Sequence, residues 1–322
     1  LAAGCGGGMC GWGGLVQEKG AKMKRAVSVS LGSSARDKRV EVELLGEQVV
    51  IERIGTDGDI QRATQLFHEL DGQVDALGVG GIDLWVGTTR RRYPLVAAHK
   101  LVRGIKATPV VDGGGLKNTL ERRSMRYVEQ EIGSEIHPKR AMNTVALDRY
   151  GMSQGLVEAG YETVFGDLMF AIGVPIAIRT LRQVEVLAFF LAPIIGRLPI
   201  SILYPTGDKQ HENIPKFARW YNWATLIAGD CLYIKRHMPP TLSGKTILTN
   251  TTTEEDVEIF RRAGVRYLVT TTPRLEGRSF GTNMMEAALV AVAGKGRPLT
   301  QPELADMIER LGLRPHIERI GE

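Results

Sequence analysis

A lysine and an aspartate flank a glycine run in DGGGLK (residues 112–117), a combination that can carry proton transfer. The apolar run before Asp112 predicts a strand and the residues after Gly115 a helix, so both side chains belong to a strand-to-helix junction. The helix dipole disfavours a lysine in a first helical turn, and burial there would lower the pKa of its ammonium. We therefore predict Lys117 as a catalytic proton-transfer group with Asp112 as its partner. A solvated lysine is the alternative.

Two serines alternate along the strand-like segment VSVSLGSS (residues 27–34). Because alternate residues of a strand point the same way, Ser28 and Ser30 share a face. We predict that they hydrogen-bond a substrate carboxylate or hydroxyls, against the alternative of an ordinary serine-rich loop. A second glycine run, GVGGID (residues 78–83), permits close backbone approach, and Asp83 either faces a cleft or ends a simple turn.

The second half of the chain opens with a glycine spacing that only partly matches the dinucleotide-binding fingerprint G-x-G-x-x-G. Gly151 and Gly155 have G-x-x-x-G spacing at the start of a predicted helix, where a pyrophosphate binds in nucleotide-binding folds. Asp167 ends the next predicted strand, near the place of a ribose-binding carboxylate, and no arginine follows it, which favours NAD over NADP. Asn250 and Thr251 belong to a polar cluster at a later strand end and are predicted to bind the cofactor, because ligands lie at the carboxyl ends of strands in such sheets. Helix capping is the alternative for this cluster. The alternative is that the glycines serve a turn and helix–strand packing, and that Asp167 lies on the surface.

Apolar strands alternate with amphipathic helices along most of the chain, which predicts parallel sheets covered on both faces. We therefore expect an α/β protein of two domains, the second a doubly wound, Rossmann-like parallel sheet. Six strands are predicted for that second sheet, over residues 144–148, 162–167, 200–205, 231–236, 245–250 and 266–273.

The predicted division has three parts. Residues 1–22 are glycine-rich with no hydrophobic period and are expected to be disordered or a mis-called extension. Residues 23–140 form the substrate-like domain, and residues 141–322 form the dinucleotide-binding-like domain. The boundary follows the polar stretch EIGSEIHPKR (residues 131–140), which reads as a loop.

The net charge and the composition indicate which classes of partner to expect. The net charge of +5 comes without a dense basic tract carrying aromatics, so no nucleic-acid partner is expected, and an anionic small substrate fits the balance. No apolar run reaches the ~20 residues of a membrane helix, so no membrane partner is expected. The three cysteines and six histidines lack metal-ligand spacing, so no metal is expected. Few cysteines favour the cytoplasm.

Five stretches together resemble the bacterial quinate 5-dehydrogenase family: VSVSLGSS, RIGTDGD, GVGGIDL, DGGGLKNTLER and GRSFGTNMMEA. The resemblance covers most of residues 24–322. It implies relatives of shikimate dehydrogenase, with a substrate domain followed by a nicotinamide-binding domain. Shikimate dehydrogenases are similar in an early Ser-x-Ser that holds the substrate carboxylate, which Ser28 and Ser30 match, and they use a Lys–Asp pair at the oxidised hydroxyl. The family's N-x-T-x-P-x-K motif is missing around Lys117, as is its G-A-G-G-x-x-x-A loop.

These observations lead to one expected function and two alternatives. We expect an NAD-dependent oxidoreductase, with NADP as the other possible cofactor, that acts on a hydroxyl of a small, quinate- or shikimate-like carboxylic acid. A homo-oligomer is compatible with the sequence. The first alternative is a non-catalytic or regulatory α/β protein that binds an anionic metabolite or nucleotide. The second is a transferase or hydrolase acting on a phosphorylated substrate.

Overall fold

Two β-sheets organise the chain in the computed structural model, which describes residues 23–200, 213–272, 274–275 and 278–322. The extension expected over residues 1–22 and most of the strand expected over 200–205 lie outside the described residues. The strands are β1 (Lys24–Ser30), β2 (Lys38–Leu44), β3 (Glu47–Gly55), β4 (Ala76–Gly80), β5 (Trp85–Gly87), β6 (Arg92–Pro94), β7 (Val110–Val111), β8 (Arg140–Asn143), β9 (Glu162–Phe165), β10 (Leu226–Ala228), β11 (Thr246–Thr249), β12 (Tyr267–Thr270), β13 (Arg274–Leu275), β14 (Arg278–Ser279) and β15 (His316–Arg319).

Helices fill most of the connections between these strands. The α-helices are α1 (Ile60–Leu70), α2 (Val96–Leu101), α3 (Gly114–Asn118), α4 (Leu120–Ile132), α5 (Tyr150–Glu158), α6 (Leu181–Ile195), α7 (Ala218–Trp223), α8 (Cys231–His237), α9 (Glu254–Arg262), α10 (Thr282–Ala293) and α11 (Gln301–Arg310). Short 3₁₀ turns cover Ser34–Arg36 and Gly133–Glu135, and a π-helical turn covers Asp167–Ala171.

The first sheet has the order β2-β3-β1-β4-β7, with only β2 antiparallel to its neighbour. Its central strand β1 is buried on both faces, because successive side chains enter different cores. Val27 and Val29 pack with α1 and α2, whereas Ala26 packs on the opposite face with α10. A parallel strand covered on both sides is usually a continuous apolar run. β1 departs from this pattern because the buried Ser28 and Ser30 alternate with its apolar residues.

The second sheet has the order β9-β8-β10-β11-β12-β15, and only β15 is antiparallel. Ile227, Ile247 and Leu268 point into one core with α8 and α9, while Leu226 and Leu248 point into the other core with α4 and α5. The predicted α/β class and the parallel, doubly wound second sheet are confirmed. The strand order reverses between β8 and β10, which makes the crevice beyond these two strand ends the expected ligand position.

Several of the predicted strands differ from those in the structure. Residues 144–148 form the turn between β8 and α5, because β8 ends at Asn143. Residues 231–236 lie in helix α8, since the Asp230 carboxylate accepts the Leu232 N–H at 3.0 Å and starts a helix there. The sheet still has six strands, because β10 and β15 take part although the sequence pattern did not predict them.

Helix α10 joins the two halves of the chain. The predicted boundary assigns residues 282–293 to the second domain, but Met284, Ala287 and Ala288 pack into the core of the first sheet. Close approach is possible because β4 is glycine-rich: a Cβ on Gly78 would lie 3.0 Å from the Asn283 carbonyl oxygen. The chain therefore returns to the first sheet before β15 completes the second.

Glu286 fastens α10 to the start of α3. Its carboxylate accepts the N–H groups of Gly115 at 2.9 Å and Leu116 at 3.3 Å, and the side chain is buried. Burial, with a smaller effect from Asp112, raises the pKa of Glu286 to about 8. The carboxyl group of Glu286 is therefore mostly protonated in the native protein at neutral pH.

Gly151 and Gly155 allow α5 to lie directly on α3 and α4. A Cβ on Gly151 would lie 2.0 Å from the Lys117 carbonyl oxygen, and one on Gly155 would lie 2.5 Å from that of Arg122. Both glycines therefore face backbone of the neighbouring helices. The G-x-x-x-G spacing is that of two positions one turn apart on a helix face, which suits helix packing.

Replacing Gly151 with alanine should destabilise the fold by about 1–3 kcal/mol, since the methyl group would overlap a backbone oxygen that cannot move without shifting α3. We expect the thermal midpoint to fall by several degrees. Gly133→Ala is the matched control: its Cβ would meet only the flexible Glu129 carboxylate, at 3.1 Å. Equal midpoints for the two variants would contradict the packing role of Gly151.

The proton on Glu286 should make stability depend on pH. Between about pH 4.5 and about pH 8 the unfolded chain loses this proton and the native chain keeps it, so its contribution to the free energy of unfolding falls as pH rises. Glu286→Gln should flatten this decline, because the amide cannot ionise. Urea unfolding at several pH values measures the slope. A variant with the wild-type slope would rule out Glu286 as its source.

Candidate functional site

Lys117 lies at the centre of a buried ion cluster where the two sheets meet. Its Nζ donates to both carboxylate oxygens of Asp83 at 2.8 Å and to Oδ1 of Asp148 at 2.9 Å. Asp83 follows β4, Lys117 belongs to α3 after β7, and Asp148 precedes α5 after β8. The loops beyond parallel strands of both sheets thus converge on one ammonium group.

Asp112 lies in the same cleft, but it does not form the predicted pair with Lys117. Its carboxylate accepts backbone N–H groups of Leu84 at 2.8 Å, Trp85 at 3.2 Å and Gly114 at 2.9 Å. These bonds tie the loop after β4 to the start of α3. Asp112 therefore positions Asp83 and Lys117 relative to each other.

The two carboxylates beside Lys117 have opposite pKa shifts. Burial raises the pKa of Asp83 to about 7, against the attraction of Lys117 and with added repulsion from Asp148. Burial also acts on Asp148, but Lys117 and Arg149 outweigh it and hold its pKa well below the usual range. Such a divided pair is typical of groups that exchange protons.

Lys117 itself stays charged. Burial alone would lower its pKa, but Asp148 and Asp83 outweigh burial and raise the pKa above the ordinary value. The predicted lowering of its pKa is therefore wrong, because the sequence does not reveal two carboxylates within hydrogen-bond distance. Asp83, which was predicted only as a residue that faces a cleft or ends a turn, is the carboxylate beside Lys117 whose pKa burial raises to about 7.

A second ion cluster spans the crevice between β8 and β10. The guanidinium of Arg149 contacts Glu121 at 2.5 Å, Asp230 at 2.7 Å and Asp148 at 3.2 Å. Asn250 extends it by donating to Asp230 at 2.8 Å. Sequence reasoning missed Glu121, Arg149 and Asp230. Asp148-Arg149 between a strand and a helix was the available signal.

Asp167 holds the turn that carries Asp148. Its carboxylate accepts the N–H groups of Ala146 at 3.1 Å and Leu147 at 2.8 Å, and burial raises its pKa to about 6. The side chain is buried, so the surface position weighed as an alternative is wrong. Of the later residues predicted to bind a cofactor, Asn250 is committed to Asp230, and Thr251 is half-exposed between β11 and α9.

The two serines of β1 lie under α10 and away from the cleft lining. Ser28 Oγ accepts from Asn283 Nδ2 at 2.5 Å, and Ser30 Oγ accepts from Arg53 at 2.9 Å and from the Gly32 N–H at 3.1 Å. Both side chains are buried. The prediction that they share a face is confirmed, and the contacts that they make there are with protein groups.

The cleft around Lys117 is polar with aromatic edges. Trp85 is 39% exposed, and the Arg92 guanidinium lies 5.5 Å from its ring. The Tyr150 hydroxyl donates to Glu185 at 2.7 Å. The side chains that line the cleft are Asp83, Trp85, Val86, Thr88, Arg92, Asp112, Lys117, Asn118, Leu147, Asp148 and Tyr150. Carboxylates, an amide and hydroxyl groups of this kind can bind a small molecule bearing several hydroxyls.

The residues predicted to bind a dinucleotide do not fit one where they stand. The positions that a pyrophosphate would approach at Gly151 and Gly155 are taken by the backbone of α3 and α4. The Asp167 carboxylate is bonded to the turn that such a phosphate would need. Four carboxylates, of Asp83, Glu121, Asp148 and Asp230, surround the two cations, which disfavours a dianionic group.

Among the described residues, no group of three or more His, Cys, Asp or Glu side chains could hold a metal ion. No helix in that part of the chain has both the length and the apolar character needed to cross a membrane.

Comparison with solved structures finds distant likenesses. The malic enzyme of Entamoeba histolytica is 13% identical, with 93% of this chain and 66% of that chain covered and a TM-score of 0.41. The NAD-dependent malic enzyme of Thermotoga maritima is 11% identical, with 88% and 84% covered and a TM-score of 0.33. A galactofuranose binding protein is 10% identical, with 92% and 94% covered and a TM-score of 0.34.

Comparison with sequence families gives a direct assignment. No curated protein matches the chain. The family model described as domain of unknown function DUF8753 matches residues 25–112, which run from β1 to the end of β7. A second model, domain of unknown function DUF8754, matches residues 115–320, which carry Lys117, Asp148 and the whole second sheet. Since this match covers more than half of its residues, the chain belongs to the DUF8754 family.

Proposed function

We propose that the chain is an enzyme that moves a proton at a hydroxyl group of a small hydroxy acid bound between the two sheets, as an oxidoreductase. The observation that supports this most is the contact of Lys117 with Asp83 and Asp148, all within 2.9 Å, on the wall of a cleft. Burying three charged groups is costly for stability, so their presence in a cleft favours a role in chemistry.

Asp83 is the proposed proton acceptor. With a pKa of about 7, a substantial share of its carboxyl groups is ionised at neutral pH, which suits general base catalysis in one direction and acid catalysis in the other. A substrate hydroxyl within hydrogen-bond distance would give its proton to an Asp83 oxygen. Lys117 and Asp148 stay ionised as a pair, and the ammonium stabilises the Asp83 carboxylate from 2.8 Å.

The substrate class follows from the lining and from the resemblance. Hydroxyls suit the carboxylates and Asn118, and the exposed Arg92 is the cation available for a substrate carboxylate. The resemblance to quinate and shikimate dehydrogenases supports a cyclic hydroxy acid, with NAD or NADP as the hydride acceptor. The residues expected to bind that cofactor make other contacts in the structure.

A specific observation favours a second candidate, a non-catalytic binding protein for the same class of molecule. The Asp167 carboxylate after β9 is bonded to backbone N–H groups, and Gly151 and Gly155 face the backbone of α3 and α4, so neither is open to a dinucleotide. A protein that recognises hydroxyls through Asp83 and Lys117 needs no redox partner. The two candidates share the cleft and differ in turnover.

The oxidoreductase proposal predicts turnover of at least one cyclic hydroxy acid with NAD or NADP, followed by the absorbance of the reduced nicotinamide. Asp83→Asn should lower kcat about 100-fold or more and remove the ionisation near pH 7 from the pH profile, since the amide cannot accept a proton. Asp306→Asn on the exposed face of α11 is the control and should leave kcat unchanged. Wild-type activity in Asp83→Asn would exclude Asp83 as the base.

Titration calorimetry with quinate and shikimate, without a cofactor, separates the two candidates. The enzyme should bind one of them, and Lys117→Ala should weaken this binding because two facing carboxylates then lose their shared cation. Binding with no turnover by either nicotinamide cofactor would favour the binding protein. Absence of both binding and turnover would overturn the proposed cleft function altogether.

A further inference from the structure

Helix α6 exposes an apolar face next to the cleft. Its buried side chains Val184, Ala188 and Ala192 recur every four residues and face the protein. The opposite side carries large apolar side chains that are mostly exposed: Val186 at 52%, Phe189 at 51%, Phe190 at 65% and Ile194 at 60%. Spacings of three and four residues place them on one stripe of the helix. Clustered exposure of this kind marks an interaction surface.

The β5–β6 hairpin continues this surface. The Val96 N–H just after the hairpin donates to the Gly196 carbonyl at 2.8 Å at the end of α6, and Val96 is itself 44% exposed. The Arg91 guanidinium lies 5.1 Å from the Phe189 ring. We call residues 85–96 and 181–197 together the α6 face.

The α6 face is also strongly basic. It carries five arginines, at positions 90, 91, 92, 182 and 197, and one acidic residue, Glu185, so its net charge is +4 of the chain's +5. Glu185 is only partly exposed and accepts from Tyr150, while Arg90 is 82% exposed. The rest of the sequence is therefore nearly neutral, and the positive charge is concentrated around the exposed phenylalanines.

The positive charge of the α6 face distinguishes between two candidate occupants, a second copy of the chain and an anionic lipid bilayer. A second copy of the chain would bring one basic rim against another, whether the two α6 helices ran parallel or antiparallel, because Arg182 and Arg197 stand at opposite ends of the helix. A surface that is apolar beneath a negatively charged layer complements both features. An anionic lipid bilayer has this arrangement, with acyl chains beneath acidic headgroups.

We infer that the α6 face binds peripherally to anionic membrane surfaces, with Phe189, Phe190 and Ile194 in the headgroup–acyl boundary. The arginines at positions 90, 91, 182 and 197 would lie among the lipid phosphates. The absence of a membrane partner was expected from the length of apolar runs, and a helix that lies in the interface needs no spanning length. The cleft opens on the same hairpin, since Trp85 and Arg92 line it. The inference does not depend on the proposed reaction.

Flotation with lipid vesicles tests the inference on the whole chain. Wild-type protein should float with vesicles of phosphatidylcholine and phosphatidylglycerol, should stay behind with phosphatidylcholine alone, and should be released by high salt. Phe189→Ser with Phe190→Ser should lower the partition coefficient by about tenfold or more, because two aromatic side chains no longer insert. Arg90→Glu with Arg91→Glu should abolish the preference for the acidic lipid.

Matched variants on other faces guard against a general loss of solubility or fold. Ile60→Ser with Val157→Ser removes two exposed apolar side chains elsewhere, and Arg261→Glu with Arg262→Glu makes the same charge change on α9. Both should float like the wild type. Circular dichroism should show all four variants folded, since each changes only exposed side chains.

Three results would overturn the inference. The first is equal flotation with and without phosphatidylglycerol. The second is an equal loss of flotation in the matched variants. The third is a wild-type chain that ignores anionic vesicles and sediments as a dimer that Phe189→Ser with Phe190→Ser converts to a monomer, which would assign the α6 face to a second copy.

Discussion

The solvation of one buried ammonium group governs the arrangement of this molecule. Lys117 is almost enclosed, and its Nζ donates three hydrogen bonds to two aspartates that follow strands of different sheets. An unpaired buried charge would cost several kcal/mol, so the two sheets are held with their loops converging on this point. Arg149 is a second buried cation next to Lys117, and its charge is likewise compensated by carboxylates, those of Asp148, Glu121 and Asp230.

The helices bring these charges together by close backbone packing. Gly151 lets α5 rest on the carbonyl of Lys117 itself, so the helix that follows Asp148 is in direct contact with the helix that carries the ammonium. Glu286 and Asp112 fix the other side by accepting the backbone N–H groups at the start of α3. The position of Lys117 is therefore defined by backbone contacts and is only completed by its ion pairs.

Much of the fold and part of the site could be predicted from local sequence patterns. The remaining strands and site residues depend on contacts between residues distant in sequence. Lys117 can be identified from the sequence because a lysine at a predicted helix start conflicts with the dipole. The structure places it in the last turn of the short helix α3, beside two carboxylates distant in sequence. Asp148 escaped because the apolar run 144–147 looks like a strand, whereas the strand ends at Asn143, whose buried amide donates to Ser153 at 2.8 Å. The segment 231–236 opens with an apolar run that is typical of a strand, but the N-cap at Asp230 makes it a helix. Strand β10 has only three residues, too few to give a period.

The same electrostatics limits what the cleft can accept. With Asp148 held ionised by two cations, any further negative charge near Lys117 competes with a carboxylate already in place. A neutral hydroxyl does not compete, because it can donate to Asp83 and leave the ion pair intact. Asp83 shares its cation with Asp148 and is buried, so of the two carboxylates beside Lys117 it is the one whose charge is less stabilised. Burial thus destabilises the charge of Asp83, the residue that is positioned to react. The ion pair of Lys117 and Asp148 beside it keeps Asp83 in place.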